Sequence, residues 1–190
     1  MTGKGGSGKT TVAAALCIAA AAWRHRTIVC ELGGAAHIGR AFGRLPAKGG
    51  ETQLTDRLWC MSLDPREALR EWLRRQPGGG LADPVLSRST AFTHFVEAAP
   101  GAKELITVGK LLDLAGRGPL GARDAAYELV VVDAAATGHA LALLAAPGSA
   151  GEIAPVSRIA TQARALRDEL ADTETTAYVG VSLPEEMSVR

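Results

Sequence analysis

The chain opens MTGKGGSGKT, and the glycines at 3, 5, 6 and 8 with lysines at 4 and 9 constrain it more than anything that follows. Glycine accepts left-handed torsions that other residues resist, so such a run can turn several backbone N–H groups inward on one centre. The alanine-rich stretch Thr11 to Arg26 predicts a helix opening directly from the loop, with Arg24-His25-Arg26 at its negative pole. Inward amides backed by a helix N-terminus make a seat for an anion, and above all for phosphate.

Gly3 to Thr10 match G-x-x-x-x-G-K-[ST], the phosphate-binding P-loop. Average residue usage produces that pattern by chance in roughly 1% of chains this long, so an accidental glycine-rich turn is the weaker explanation. Gly3, Lys4, Gly5, Gly6, Ser7, Gly8 and the adjoining Thr11 are then candidate nucleotide-binding positions, Lys9 reaches the β and γ phosphates, and Thr10 offers a hydroxyl to Mg²⁺. A carboxylate on a neighbouring strand is needed to hold that Mg²⁺ through water. Asp133, at the end of the β-branched run Tyr127 to Asp133 (YELVVVD), is the candidate. A cap or turn aspartate is the plainer alternative.

Composition bounds the rest. With 190 residues and 47% apolar content, one domain spanning 1–190 is expected. A formal charge of +1 gives no case for nucleic acid or an acidic membrane surface as partner. The longest apolar run, Val12 to Trp23, falls short of the ~20 residues a bilayer-spanning helix needs, so no direct membrane insertion is expected. Trp23-Arg24-His25-Arg26 is a poor signal cleavage site, which favours a cytoplasmic protein. Cys17, Cys30 and Cys60 are odd in number and widely spaced, as for buried thiols rather than a disulfide framework or zinc site.

Strands are predicted at Thr27 to Leu32, Arg57 to Leu63, Tyr127 to Asp133 and Thr175 to Leu183. Helices are predicted after the capping box at Asp64-Pro65-Arg66-Glu67, after Asp83-Pro84, over Lys103 to Ala115 and over Pro155 to Leu170. The region at about 65–118 reads as a helical insertion. Alternating strands and helices predict an α/β fold, a mostly parallel sheet with helices on both faces, and ligands beyond the C-terminal strand ends.

Lys4, one position after the first glycine, makes the loop resemble the deviant KGGxGKT variety of the partition, septum-positioning, nitrogenase-iron-protein and arsenical-pump ATPases. Within that superfamily, VVVDAAATGHALALLAAPG (Val130 to Gly148) is similar to the second switch of the arsenical-pump and tail-anchored-protein-targeting branch, D-x-A-P-T-G-H followed by leucines. Asp133, Ala135, Thr137, Gly138, His139, Leu141 and Leu144 fit, and Ala136 stands where the branch has proline. Pro100 to Leu105 is similar to its PG-x-K/E-E-L helix start, and Leu183 to Ser188 to its V-x-x-P-E-x-M/L-S segment.

The resemblance implies a three-layer P-loop NTPase fold and a homodimeric, Mg²⁺-dependent ATPase with ATP and Mg²⁺ as its ligands. Lys4 and Lys9 would be catalytic, Lys4 reaching the partner subunit's ATP. Thr137, Gly138 and His139 would sense the γ-phosphate, and nucleotide-driven dimerisation would drive an unidentified protein client. A surface or core histidine is the plainer reading of His139.

Three departures qualify this. Gly33 stands where the branch carries a water-orienting aspartate, which allows an ATP-binding regulatory or partner subunit with little hydrolysis. Only Met1 and Thr2 precede the loop and little follows Ser188, so the family's first strand and C-terminal part are expected to be missing and the isolated polypeptide poorly soluble or partly unfolded. The metalloid-binding cysteines and zinc pair of some members do not map onto Cys17, Cys30 or Cys60. A P-loop small-molecule kinase is weaker, having no use for Lys4 or the Thr137-Gly138-His139 segment.

Overall fold

A computed structural model describes residues 1–33, 36–45, 49–75, 101–118, 126–134, 137–153 and 158–184. Among these residues lie four strands, β1 (Thr27–Leu32), β2 (Glu51–Thr55), β3 (Leu58–Leu63) and β4 (Leu129–Asp133). The helices are α1 (Lys9–Ala22), α2 (His37–Ala41), α3 (Pro65–Arg75), α4 (Ala102–Leu114), α5 (Thr137–Ile153) and α6 (Arg158–Ala171). The helix expected after Asp83-Pro84 lies outside the described residues.

The sheet order is β2-β3-β1-β4. The apolar, β-branched β1 is central, pairing in parallel with β3 (Thr27 opposite Leu58) and with β4 (Thr27 opposite Leu129). Alternate residues of a strand point to opposite faces, and both faces of β1 are covered. Val29 packs with Ala13 and Cys17 of α1, with Leu58 and Cys60 of β3, and with Val131 of β4. Ile28 and Cys30 pack on the other side with Met61, Leu63, Ala68 of α3, Leu111 and Leu114 of α4, and Tyr127. Each fully buried side chain such as Ile28 or Leu58 contributes about 1.5–3 kcal/mol. The result is an α/β fold with helices on both faces of a mostly parallel sheet, as expected.

Several boundaries moved. α1 begins at Lys9 and stops at Ala22, because Arg24 takes a positive φ of 72° and turns the chain toward β1. The basic residues at 24–26 therefore stand beyond the helix rather than in its last turn. Arg26 lies instead over the rings of Trp59 (5.4 Å) and Tyr127 (5.8 Å), which meet edge to face. The Asp64 cap forms as expected, its carboxylate accepting from the Arg66 amide at 2.8 Å.

β2 was not anticipated. It is an antiparallel edge strand joined to β3 through Asp56-Arg57, and only Leu54 of its ETQLT sequence is buried. The expected strand over Thr175 to Leu183 is corrected: only Gly180 forms a bridge, in parallel with Thr2. The Thr2 amide donates to the Val179 carbonyl (3.0 Å) and the Val181 amide to the Thr2 carbonyl (2.8 Å). Beyond Thr2 the chain turns away into the loop, so the ladder finds no further partner there. On its other side Met1 bonds β4 and the residue after it, its ammonium donating to the Val132 carbonyl at 2.5 Å and its carbonyl accepting from the Ala134 amide at 3.1 Å.

The three cysteines are free and buried, as the sequence implied. Burial pushes the Cys17 thiol up to about 12 and the Cys60 thiol up to about 11, where Glu31 adds a smaller push.

Candidate functional site

The loop leaves Thr2 at the C-terminal edge of the sheet and enters α1 at Lys9. Gly8 is the N-cap of α1 with φ 88°, a left-handed position suited to glycine. Gly3 is required for a second reason: with φ 154°, a Cβ there would stand 2.0 Å from the Val181 carbonyl oxygen. The 179–181 segment thus forms a wall against the base of the loop. Around Gly5, Gly6 and Gly8, by contrast, a Cβ would meet no atom within 4 Å, so this side of the loop is open.

The Lys9 ammonium folds back over the loop and donates to the Lys4 carbonyl at 3.0 Å. Lys4 is exposed, and Ser7 is buried with its hydroxyl unpartnered among the described residues. Thr10, in the first turn of α1, donates its hydroxyl to Asp133 Oδ2 at 2.5 Å. Asp133 ends β4 and is 8% exposed, and its other oxygen, Oδ1, is buried without a hydrogen-bond partner among the described residues. A buried carboxylate oxygen left so is costly unless a donor or cation meets it. An oxygen donor set of one carboxylate and one hydroxyl beside a phosphate seat fits Mg²⁺, which takes few protein ligands and keeps waters and phosphate oxygens for the rest. No grouping of three or more His, Cys, Asp or Glu side chains able to hold a metal occurs among the described residues.

The backbone of Thr137, Gly138 and His139 forms the first turn of α5. Ala135 and Ala136, between Asp133 and that helix, lie outside the described residues. Thr11 is exposed near the start of α1. Gly33, at the exit of β1, has φ 102° and open space around it.

Glu31 is the other buried carboxylate at this edge among the described residues. It is 3% exposed, its register partner on β4 is Asp133, and its carboxylate accepts from the backbone amides of His37 (2.7 Å) and Ile38 (3.2 Å). The sequence signal was a lone acid in the buried TIVCEL strand, since such a charge demands partners.

The sequence pattern of the family described as anion-transporting ATPase matches residues 1–154. Among curated proteins, the chain is 29% identical over 192 residues to an ATPase GET3 of Pyricularia oryzae, covering 97% of this chain and 53% of that one. It is 26% identical over 195 residues to ATPase BagA of Mycobacterium tuberculosis, covering 100% of this chain and 57% of that one. It thus spans about half the length of these relatives. Loop, buried carboxylate and family match agree, and the chain belongs to the anion-transporting ATPase family.

Proposed function

We propose that this chain binds ATP with Mg²⁺ at the Gly3 to Thr10 loop and hydrolyses it as a nucleotide-driven homodimer of the arsenical-pump type. The observation that carries the reading is the hydrogen bond from Thr10 to Asp133 at the foot of the loop, with Asp133 Oδ1 left buried and unpartnered among the described residues. The loop amides from Gly3 to Gly8 and the N-terminus of α1 seat the phosphates. Lys9 leaves the Lys4 carbonyl to neutralise phosphate charge, and Lys4, exposed on the loop, is free to act on a nucleotide held by a second copy. Thr10 and Asp133 would hold Mg²⁺, which when bound supplies charge neutralisation at the phosphates. Thr137, Gly138 and His139 would respond to the terminal phosphate from the start of α5.

Support for the enzyme class comes from family membership and from relatives named as ATPases. We place the protein in the cytoplasm, with an unidentified protein as its client. No helix among the described residues is long and apolar enough to cross a membrane. We further take 1–190 as one P-loop domain with a helical insertion at about 65–118.

Gly33 favours a second reading, a regulatory or partner subunit that binds ATP and scarcely turns it over. Loss of a water-orienting carboxylate slows phosphoryl transfer by ~10²-fold or more, since that chemistry rests on positioning. Paired measurements of ATP affinity and steady-state turnover, with Lys9→Ala as control, separate the two. Turnover abolished by Lys9→Ala establishes the enzyme. Saturable binding without turnover establishes the binding subunit, and absence of binding removes both.

A further inference from the structure

Among the described residues the buried carboxylates are Glu31 and Asp133, and only Asp133 has a task in the reading above. The β1–β4 register sets Glu31 opposite Asp133. Val29 and Val131, two residues earlier on each strand, pack with α1, and residues two apart share a face. Both carboxylates therefore lie on the loop's side of the sheet, at its C-terminal edge.

Glu31 spends its two oxygens on the first amides of α2. That helix has five residues, begins after Ala36 at φ 47° and has no side-chain cap from its N-cap residue. A helix so short does not hold itself together in water. Its anchors include the Glu31 carboxylate and the burial of Ile38 against the α1 side of the core. Glu31 thus links the end of β1 to the start of α2. Direct contact between Glu31 and a phosphate is disfavoured by like charge.

We propose that Glu31 is a positioning residue: by holding the start of α2 beside Asp133, which bonds Thr10 of the loop helix, it determines how the terminal phosphate of a bound nucleoside triphosphate is met. This rests on the nucleotide-binding reading and adds a residue to it. The α- and β-phosphates are served by the loop itself, so Glu31 acts on triphosphate and leaves diphosphate binding alone.

The test uses the full chain with Mg²⁺, a non-hydrolysable ATP analogue and ADP, measured by calorimetry in wild type and Glu31→Gln. The variant keeps the side-chain shape and loses the charge and one acceptor. Affinity for the analogue is expected to fall about tenfold, the scale of a charge-assisted hydrogen bond, with ADP affinity within about twofold of wild type. Equal losses for both nucleotides, or none for either, in a variant that melts like wild type would overturn the proposal. Should Glu31→Gln not fold, amide exchange in the wild type decides: residues 37–42 gain about tenfold more protection with the analogue than with ADP if Glu31 works through α2. Equal protection contradicts it. A wild-type chain that binds neither nucleotide defeats the nucleotide reading itself, whereas binding with unchanged discrimination in the variant defeats only the role of Glu31.

Discussion

The hydroxyl of Thr10 meets the carboxylate of Asp133 at 2.5 Å across 123 residues of sequence, joining the first turn of α1 to the end of β4. This contact brings the loop lysines, the N-terminus of α1 and the buried Asp133 carboxylate to a single edge of the sheet. Replacing Thr10 by Ala leaves both oxygens of Asp133 without a partner among the described residues. The expected result is a stability loss of about 1–3 kcal/mol without nucleotide and Mg²⁺-dependent ATP affinity reduced about 10- to 100-fold. Chemical denaturation and calorimetry with and without Mg²⁺ check the two effects, and Asp133→Asn is expected to lose the Mg²⁺ dependence as well.

Gly33→Asp puts a carboxylate at the position that the family resemblance assigns to the water-orienting aspartate. The position has room, but its φ of 102° is unfavourable to any residue with a Cβ, so stability is expected to fall by about 1–2 kcal/mol. Turnover is expected to rise about 10- to 100-fold with ATP affinity little changed. Steady-state phosphate release together with thermal melting checks both. An increase in affinity without any gain in turnover contradicts the role given to this position.

Gly3→Ala drives a methyl group into the Val181 carbonyl, 2.0 Å from the ideal Cβ position. Backbone cannot give way as a flexible side chain does, so the 179–181 segment and the loop must separate. A loss of about 1–3 kcal/mol is expected, with faster amide exchange at Thr2 and Val181, whose amides bond across this junction. Gly5→Ala, with nothing within 4 Å of its Cβ, is the matched control and should cost much less.

The buried thiols tie stability to alkaline pH. Cys17 is pushed up to about 12 and Cys60 to about 11 from a usual value of 9.0. A raised folded-state value means that the contribution is whole below pH 9 and is lost as pH climbs toward 11–12, where the unfolded chain ionises and the native chain resists. Denaturation midpoints are expected to hold between pH 7 and about 8.5 and to decline above it. A maleimide at pH 8 is expected to label the denatured chain fully and the native chain slowly.

How far this was legible from the sequence depends on whether a segment carries its own apolar signal. TIVCEL did, and β1 runs Thr27–Leu32 as read. VVVD placed Asp133 at a strand end, and the glycine loop announced its helix. ETQLT did not, because an edge strand with one buried side chain takes its order from β3 rather than from its own pattern. The 175–183 segment misled in the opposite direction: TTAYVGVSL has strand composition, yet strand structure needs a neighbour, and among the described residues only Thr2 bridges to it. The hydrogen bonding of Glu31 was hidden because its partners are backbone amides of a helix too short to show a period. Thr10 and Asp133 were each legible, but their contact required the fold.

Calorimetric titration of the full chain with ATP, with and without Mg²⁺, addresses the central claim most directly. One saturable, Mg²⁺-dependent site is predicted at concentrations below about 1 mM, and it should vanish in Lys9→Ala. Absence of any saturable heat at millimolar nucleotide, or binding that Lys9→Ala leaves intact, would contradict it.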